Sequence, residues 1–406
     1  MYSKLKANLR WVDSSKRTKQ ISFLVYVKWE GDLPFCVLVH VHRCTANGLE
    51  VFGFLSIIAA RLAVLSGCKF AFDMNTPKRV AINGFGRIGR TLTRLLLQDP
   101  TTELVAINDL ADSATMGHLF KYDSINGRFN GDVATEKNAL IIDSKRIEYT
   151  NQAVWENLPW KELGIDMVFE CTGQVKNNGN ARLHLASGAK SVLISAPVDD
   201  ESIPMFVLGV SDIDSFQKHN IISNASCTTN NAAPMIRLLD EAFGIESCYI
   251  TTVHSYTSDQ RLHDAPHKDL RRSRSATESI IPTTTGAAKA LTRVFPHLSD
   301  KMGGCGIRVP VPNGSLTDIT CVVRNTGTVE EVNSLFKNAA ASKWKGIIEY
   351  TTDPIVGVDV LKNAHSCVFD AQLTSVIGSM IKVVGWYDNE FGYSSRLMDT
   401  MKIWNP

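Results

Sequence analysis

The stretch "KRVAINGFGRIGRTLTRLLL", residues 78–97, constrains the fold of this chain more than any other. Val80, Ala81 and Ile82 form a short apolar run, as a buried parallel strand does. The run ends in Gly84-Phe85-Gly86-Arg87-Ile88-Gly89, after which Leu92, Leu95 and Leu96 recur at helical spacing. The glycines therefore sit on a strand-turn-helix. Gly84 permits the tight turn, Gly86 lets a pyrophosphate approach the backbone, and Gly89 lets the helix pack closely on the strand. The helix N-terminus then offers N–H groups and the positive end of its dipole to the phosphates. A glycine turn with a purely structural role is the alternative, since the motif alone is weak. Here a second strand, "ELVAIND", ends in Asp109, twenty residues after Gly89. That spacing suits a hydrogen bond to a ribose 2′-OH and predicts NAD over NADP.

Further strand ends point to the same crevice. The apolar runs "DMVFECTG" (166–173), "SVLISAP" (191–197) and "IISNASC" (221–227) end in Thr172-Gly173, Ser195 and Cys227. Ligands of open α/β sheets bind beyond the carboxyl ends of the strands. "SNASCTTNN" (223–231) then leads into a helix with Ile236, Leu239 and Phe243 at helical spacing and Gly244 at its end. Cys227 is either a small core residue with polar neighbours or a nucleophile at a helix mouth. In the second reading Ser226, Thr228 and Thr229 cap the first N–H groups, and the dipole lowers the thiol pKa below its free value. Pro234 is expected within the first turns. Cys171, Cys248 and Cys321 lie in apolar runs and read as core, and Cys305 as packing or loop.

A catalytic cysteine needs a base. His254 closes the strand "CYITTVHSYTSDQ" and is the best of ten histidines, the alternative being a half-buried ring bonded to backbone. Thr257, Asp259, Arg261, "KDLRRSR" and "PTTTGAAKA" follow. They read as a solvated loop, or as an anion site where hydroxyls, N–H groups and arginines hold phosphate.

Composition excludes several classes. Of 43 Lys/Arg and 41 Asp/Glu, ten and five fall in residues 1–73, which leaves 33 against 36. Bulk charge therefore gives no reason to expect nucleic acid. Nine scattered cysteines form no CxxC pair, so neither a disulfide scaffold nor a metal site is expected. Residues 1–73 read differently. They alternate through "ISFLVYVKWE" and "FCVLVHVHRC" and end in the apolar run "VFGFLSIIAARLAVLSGCKFAF". Arg61 near the middle of that run argues against a membrane span and its late position against a secretory signal, and a transit peptide, poor in acids and rich in serine, fits residues 1–73 only loosely. Residues 1–77 are expected to be an extension with no catalytic part, poorly ordered or outside the native protein.

"INGFGRIGR", "SNASCTTN", "HSYTSDQ", "APHKDLRRSR", "IPTTTGAAKA", "RVPVPN" and "WYDNEFGYS" occur together and in order. In this the chain resembles the phosphorylating glyceraldehyde-3-phosphate dehydrogenases from about Lys78 to Trp404. The resemblance implies that Cys227 adds to the substrate aldehyde as a hemithioacetal, with His254 activating the thiol and taking the hydroxyl proton. Hydride transfer to the cofactor then leaves a thioester, which inorganic phosphate attacks to give 1,3-bisphosphoglycerate. It implies a pocket for the substrate phosphate at Thr257, Asp259 and Arg308, and one for inorganic phosphate at Ser226, Thr228, Thr285 and Gly286, with Arg272 associated with both. Arg87, Ile88, Asp109, Thr172, Ser195 and Asn389 match cofactor contacts. Leu110 and Pro266 are similar to residues of the NAD-preferring members. The resemblance also implies a cytoplasmic enzyme of glycolysis, a homotetramer, with no nucleic-acid or membrane partner expected.

Asn231 departs from the family, which commonly has a second cysteine there, and so do Asn126 and Ser211. The rivals are an erythrose-4-phosphate dehydrogenase and a non-catalytic binding protein on the same fold. The expected class is α/β. A Rossmann-type NAD-binding domain over 78–227, completed by a helix in 390–406, joins an α+β catalytic domain over 228–389. Alternation in "CYITTVH", "LTDITCVVR" and "SMIKVVGWYD" predicts a mostly antiparallel sheet in the latter.

Overall fold

The computed structural model describes residues 76–175 and 177–406, together with three strands nearer the N-terminus. Those strands, β1 (Leu9–Val12), β2 (Ile21–Val27) and β3 (Phe35–Val41), form an antiparallel sheet in sequence order. The two alternating stretches of the extension are β2 and β3, which pair from Ile21 with Val41 to Val27 with Phe35. The apolar run considered as a membrane span, residues 51–72, lies outside the described residues. No helix among the described residues is long and apolar enough to cross a membrane.

The unit from Thr76 to Pro406 holds two eight-stranded sheets. The first contains β4 (Lys78–Asn83), β5 (Thr102–Asn108), β8 (Val133–Glu136), β9 (Ala139–Ile142), β10 (Lys145–Thr150), β11 (Met167–Glu170), β12 (Ser191–Ile194) and β13 (Ile221–Ser223). A two-stranded ribbon, β6 (Tyr122–Asp123) with β7 (Gly127–Arg128), stands apart from it. The order is β13-β12-β11-β4-β5-β10-β9-β8, with every pair from β13 to β10 parallel and β9 and β8 antiparallel at one edge. The chain runs from β4 outward to β5, then returns to lay β11 on the other side of β4. The crevice of such a sheet opens at that reversal. Val80, Ile82, Met167, Phe169, Leu193 and Ile222 are buried because parallel strands are covered on both faces.

Helix α1 (Arg87–Leu96) follows β4 and packs on the sheet beside the C-terminal helix. Three shorter helices, α2 (Ser113–Lys121), α3 (Asn178–Ala186) and α4 (Ile213–Phe216), follow β5, β11 and β12. Helix α5 (Cys227–Phe243) starts four residues after β13 ends. Its Ala232, Met235, Ile236 and Leu239 are fully buried against the second sheet. Each such large side chain contributes about 1.5–3 kcal/mol by leaving water. Gly244 ends α5 at φ 67°, the left-handed turn expected there. Pro234 lies eight residues into α5, deeper than the sequence reading allowed, and removes one backbone donor at mid-helix.

The second sheet contains β14 (Ile245–Ser255), β15 (Ile281–Thr283), β16 (Met302–Val309), β17 (Ser315–Val323), β18 (Ile348–Thr351), β19 (Cys367–Asp370), β20 (Ser375–Ile377) and β21 (Met380–Tyr387). Five of its pairings are antiparallel, and two, β14 with β16 and β18 with β19, are parallel. Helices α6 (Gly286–Val294) and α7 (Val329–Ala341) join α5 in covering one face. Helix α8 (Phe391–Ile403) returns to the first sheet, where Tyr393, Leu397, Met401 and Trp404 join the core with Val80 and Leu92.

Candidate active site

The glycine turn is built as its spacing requires. Gly84 has φ 94°, and a Cβ there would stand 2.6 Å from the Thr172 nitrogen. A Cβ on Gly89 would stand 2.2 Å from the Gly84 carbonyl oxygen, so the helix approaches the strand as closely as a bare α-carbon permits. Gly86 is different: a Cβ there would meet nothing within 4 Å. The protein itself leaves that space free, which is the cradle a pyrophosphate fills.

From the turn a cavity of about 1050 Å³ runs to the head of α5. Arg87, Ile88, Thr172, Gly173, Ser195, Ser226, Cys227, His254, Thr257, Asp259, Arg308 and Asn389 all line it. Asn389 Oδ1 accepts from the hydroxyls of Ser255 at 3.0 Å and Ser315 at 2.9 Å, which turns its amide donor to a ligand. Asp109 stands off the lining. Its Oδ2 accepts from the Phe85 N–H at 2.7 Å and its Oδ1 from the Ala111 N–H at 3.0 Å, so it also braces the glycine turn. Leu110 is exposed, and Pro266 does not line this cavity. The open glycine cradle, the length of the cavity and the free amide of Asn389 together fit a dinucleotide.

Cys227 is the first residue of α5. Ser226 is its N-cap, accepting from the Thr229 N–H at 3.0 Å. Thr228 does not cap. Its hydroxyl is buried against Tyr387 Oη at 2.9 Å, and Thr229 supplies a bonded N–H rather than an acceptor. Ala225, two residues before the thiol, holds φ 53° and is fully buried. That left-handed backbone costs about 1 kcal/mol or more for a residue with a Cβ. Tyr393 Oη donates to its carbonyl at 2.8 Å and helps hold the turn that presents Cys227.

His254 is the penultimate residue of β14, and its Nε2 lies 3.5 Å from Cys227 Sγ. Its Nδ1 lies 2.7 Å from the Ser255 carbonyl and 2.6 Å from Arg308 Nη1. Burial, with the Arg308 charge behind it, pushes the imidazole pKa down to about 3. The thiol does not follow the sequence expectation. Burial raises it, and the Arg308 charge with hydrogen bonds from Thr228 only partly offsets this. The helix dipole is outweighed because the floor of the cavity is poorly solvated. Both shifts favour the uncharged form of each group.

Two pockets lined by the residues expected to hold anions meet at this pair. In one, Thr257 and Asp259 line the large cavity with Arg308. Asp259 is bonded to Arg272 and lies 3.6 Å from His267 Nε2, contacts that hold it below the usual carboxylate range despite burial. The other is a cavity of about 250 Å³ that brings Ser226, Thr228, Thr285, Gly286, Arg272 and Arg308 around Cys227. Thr285 is the N-cap of α6, with its Oγ1 3.2 Å from the Ala287 nitrogen, so that pocket lies at a helix N-terminus.

Some cavity residues escaped the sequence reading. Glu390 bonds Arg87 through both oxygens at 2.8 and 2.5 Å, and Asp123 takes Nη1 of the same arginine at 2.6 Å. Arg87 is thus clamped by acids from distant elements, and despite burial these bonds raise its pKa. Nothing local in the sequence marks Glu390 or Asp123 as its partners. Asn126 belongs to the same brace, its N–H bonding Asp123 at 2.7 Å and its amide Thr91 at 3.1 Å. Cys171, read as core, is only half-buried and lines the cavity. Cys305 lies on β16.

Comparison with known proteins gives a consistent answer. Residues 78–178 match the family model "Glyceraldehyde 3-phosphate dehydrogenase, NAD binding domain", and residues 226–389 its C-terminal domain. The chain is 52% identical to glyceraldehyde-3-phosphate dehydrogenase 2 of Streptomyces avermitilis over 325 residues, 79% of this chain and 96% of the relative. It is 51% identical to the glyceraldehyde-3-phosphate dehydrogenase of Thermotoga maritima over 328 residues, 80% and 98% of the two chains. The enzyme of Geobacillus stearothermophilus is 50% identical over 324 residues, 79% and 96%. The chain belongs to the glyceraldehyde 3-phosphate dehydrogenase family, an NAD-dependent oxidoreductase with a Rossmann sheet and a mostly antiparallel catalytic sheet.

Proposed function

We propose that this chain oxidises glyceraldehyde 3-phosphate to 1,3-bisphosphoglycerate, with Cys227 as nucleophile and His254 as base. The observation that carries this reading is the 3.5 Å approach of His254 Nε2 to Cys227 Sγ beside two anion pockets. Arg308 Nη1 donates to the Ser255 carbonyl at 2.8 Å, and in this reading His254 Nδ1–H donates to the same carbonyl, which leaves a lone pair on Nε2 for the thiol proton. The thiolate adds to the aldehyde carbon, and the resulting oxyanion takes the proton back from His254. His254 then removes the hemithioacetal hydroxyl proton as the carbon gives up hydride, leaving a thioester. When bound, NAD supplies the acceptor for that hydride. Inorganic phosphate, held by Thr285, Gly286 and Arg272, attacks the thioester carbonyl. Cys227 departs as a thiolate and the acyl phosphate is released.

The substrate phosphate lies in the reading at Thr257, Asp259 and Arg308. Its two negative charges would also offset the Arg308 cation that opposes protonation of His254. The cofactor domain is taken as residues 78–227 with 390–406, and the catalytic domain as 228–389.

A homotetramer is supported by the uncovered face of the second sheet. Tyr249 on β14, Val322 on β17, Ile377 on β20 and Met380 on β21 are large apolar residues exposed to 36–66%. Leu262, Leu270 and Ile280 are exposed on the loop between β14 and β15. Large apolar side chains gathered on one exposed face are what a protein–protein interface covers. The free thiols among the described residues fit the cytoplasm.

The decisive measurement compares kcat/KM for glyceraldehyde 3-phosphate and erythrose 4-phosphate with NAD and phosphate. A higher value for the four-carbon sugar overturns the substrate assignment. Light scattering of the pure protein tests the tetramer.

A further inference from the structure

Four adjacent strands of the first sheet end in a polar side chain: buried Glu170 on β11, Asn83 on β4 and Asn108 on β5, and half-buried Thr150 on β10. These side chains are bonded in series. Asn83 Nδ2 donates to Glu170 Oε2 at 2.5 Å, Asn108 Nδ2 to Asn83 Oδ1 at 2.7 Å, and Thr150 Oγ1 to Asn108 Oδ1 at 2.7 Å. Each of the first three immediately precedes cofactor-side chain: Asn83 precedes Gly84, Asn108 precedes Asp109, and Glu170 precedes Cys171-Thr172-Gly173.

Glu170 is 1% exposed, and a carboxylate so buried is costly unless its oxygens are filled. Four donors fill them. Oε1 accepts from the Thr172 N–H at 2.9 Å and from the Thr172 hydroxyl. Oε2 accepts from Asn83 and faces His184 Nε2 at 3.2 Å. The proton on His184 is assigned by its other neighbour. Trp160 Nε1 lies 3.1 Å from His184 Nδ1, and an indole N–H only donates. Nδ1 is therefore the acceptor, and the neutral ring carries its hydrogen on Nε2, toward Glu170.

The arrangement has a consequence at the cavity wall. The Thr172 hydroxyl has one proton and two lone pairs. The proton goes to Glu170, and the Gln174 N–H occupies one lone pair at 3.1 Å. Thr172, which lines the cavity, is left with acceptor capacity alone for a ligand.

We propose that Glu170, oriented by neutral His184, is a positioning residue for the cofactor. It sets the Thr172-Gly173 turn and makes Thr172 an acceptor for a donor group of the bound dinucleotide, such as a ribose hydroxyl. This rests on the crevice being the NAD site.

Glu170→Gln tests it. Asn83 Nδ2 and His184 Nε2 both donate toward Oε2, so the new amide must direct its oxygen there and its NH2 toward Thr172. That group clashes with the Thr172 N–H and forces the hydroxyl to accept, which turns its proton into the crevice. The Kd for NAD, read by calorimetry, should rise about tenfold, as for loss of an orienting partner behind a ligand contact. At saturating NAD, kcat should stay within about twofold, because the chemical step is untouched. Hydrogen exchange of the Thr172 and Gly173 amides should accelerate in the NAD-free protein. A lowered melting temperature with an unchanged Kd overturns the proposal in favour of a purely structural role. A fall in kcat with Kd unchanged also overturns it. His184→Asn, which keeps the carboxylate and removes its ring donor, gives the same readouts if Glu170→Gln does not fold. If wild-type protein fails to bind NAD, the crevice reading falls too; normal wild-type binding with an unaffected variant sinks the Glu170 proposal alone.

Discussion

Arg308 Nη1 stands 2.6 Å from Nδ1 of His254, across the ring from the Cys227 thiol. A cation so placed disfavours the imidazolium that the proposed mechanism passes through. An anion bound to Arg308 should relieve this. The same cation lowers the Cys227 thiol pKa, so glycerol 3-phosphate, an unreactive anion of the substrate's shape, should shift the pH profile of Cys227 alkylation by iodoacetamide to higher pH. In Arg308→Gln the profile should lie higher without ligand and no longer respond to it. A profile indifferent to both changes would show that Arg308 does not govern the pair.

The same contact sets a pH dependence of stability. His254 is held at about 3 in the fold, against 6.5 when free. Between these values the unfolded chain binds the extra proton, so stability rises with pH. The contribution is fully present above 6.5 and is lost progressively as pH falls toward about 3. His254→Asn should flatten the pH dependence of denaturant unfolding in this window by up to one proton. An unchanged slope would place the titration elsewhere.

Cys227→Ser should abolish oxidation while calorimetric binding of NAD persists, because in the proposed mechanism the thiol takes the acyl group. His254→Asn should slow acylation by about 10²–10⁴, the usual weight of a general base. Retained turnover in the serine variant would remove Cys227 as nucleophile.

The glycines of the turn should separate into two kinds. Gly89→Ala drives a methyl into the Gly84 carbonyl and should lower the melting temperature by several degrees or prevent folding. Gly86→Ala meets no protein atom within 4 Å, so the fold should tolerate it while NAD binding weakens about tenfold or more. Thermal melts beside NAD titrations check both. Equal loss of stability in the two variants would refute the distinction.

The local rules carried well where chemistry and chain spacing coincide. Residues 84–89 could only make a tight turn between strand and helix, and Gly244 could only end α5. Cys227 and His254 were identifiable because each ends or follows an apolar run, and strand ends gather at one edge of a sheet. Pro234 was misjudged because the burial of α5 against the second sheet outweighs one missing hydrogen bond. The thiol pKa was misjudged for a related reason. A helix N-terminus can be read along the chain, whereas desolvation depends on which distant elements close the cavity.

The sequence by itself determined the strand-turn-helix for a dinucleotide, the thiol at a helix mouth and the polar and basic residue types that line the two pockets beside it. These follow from backbone freedom, hydrophobic period and capping, all of which act within a few residues. Only the tertiary structure decided which charges face one another. Arg87 meets Glu390 across 303 positions, Arg308 meets His254 across 54, and Glu170 meets Asn83 across 87. Such pairs depend on the order of strands in the sheets, and Coulomb and hydrogen-bond energies act over ångströms of space irrespective of separation along the chain.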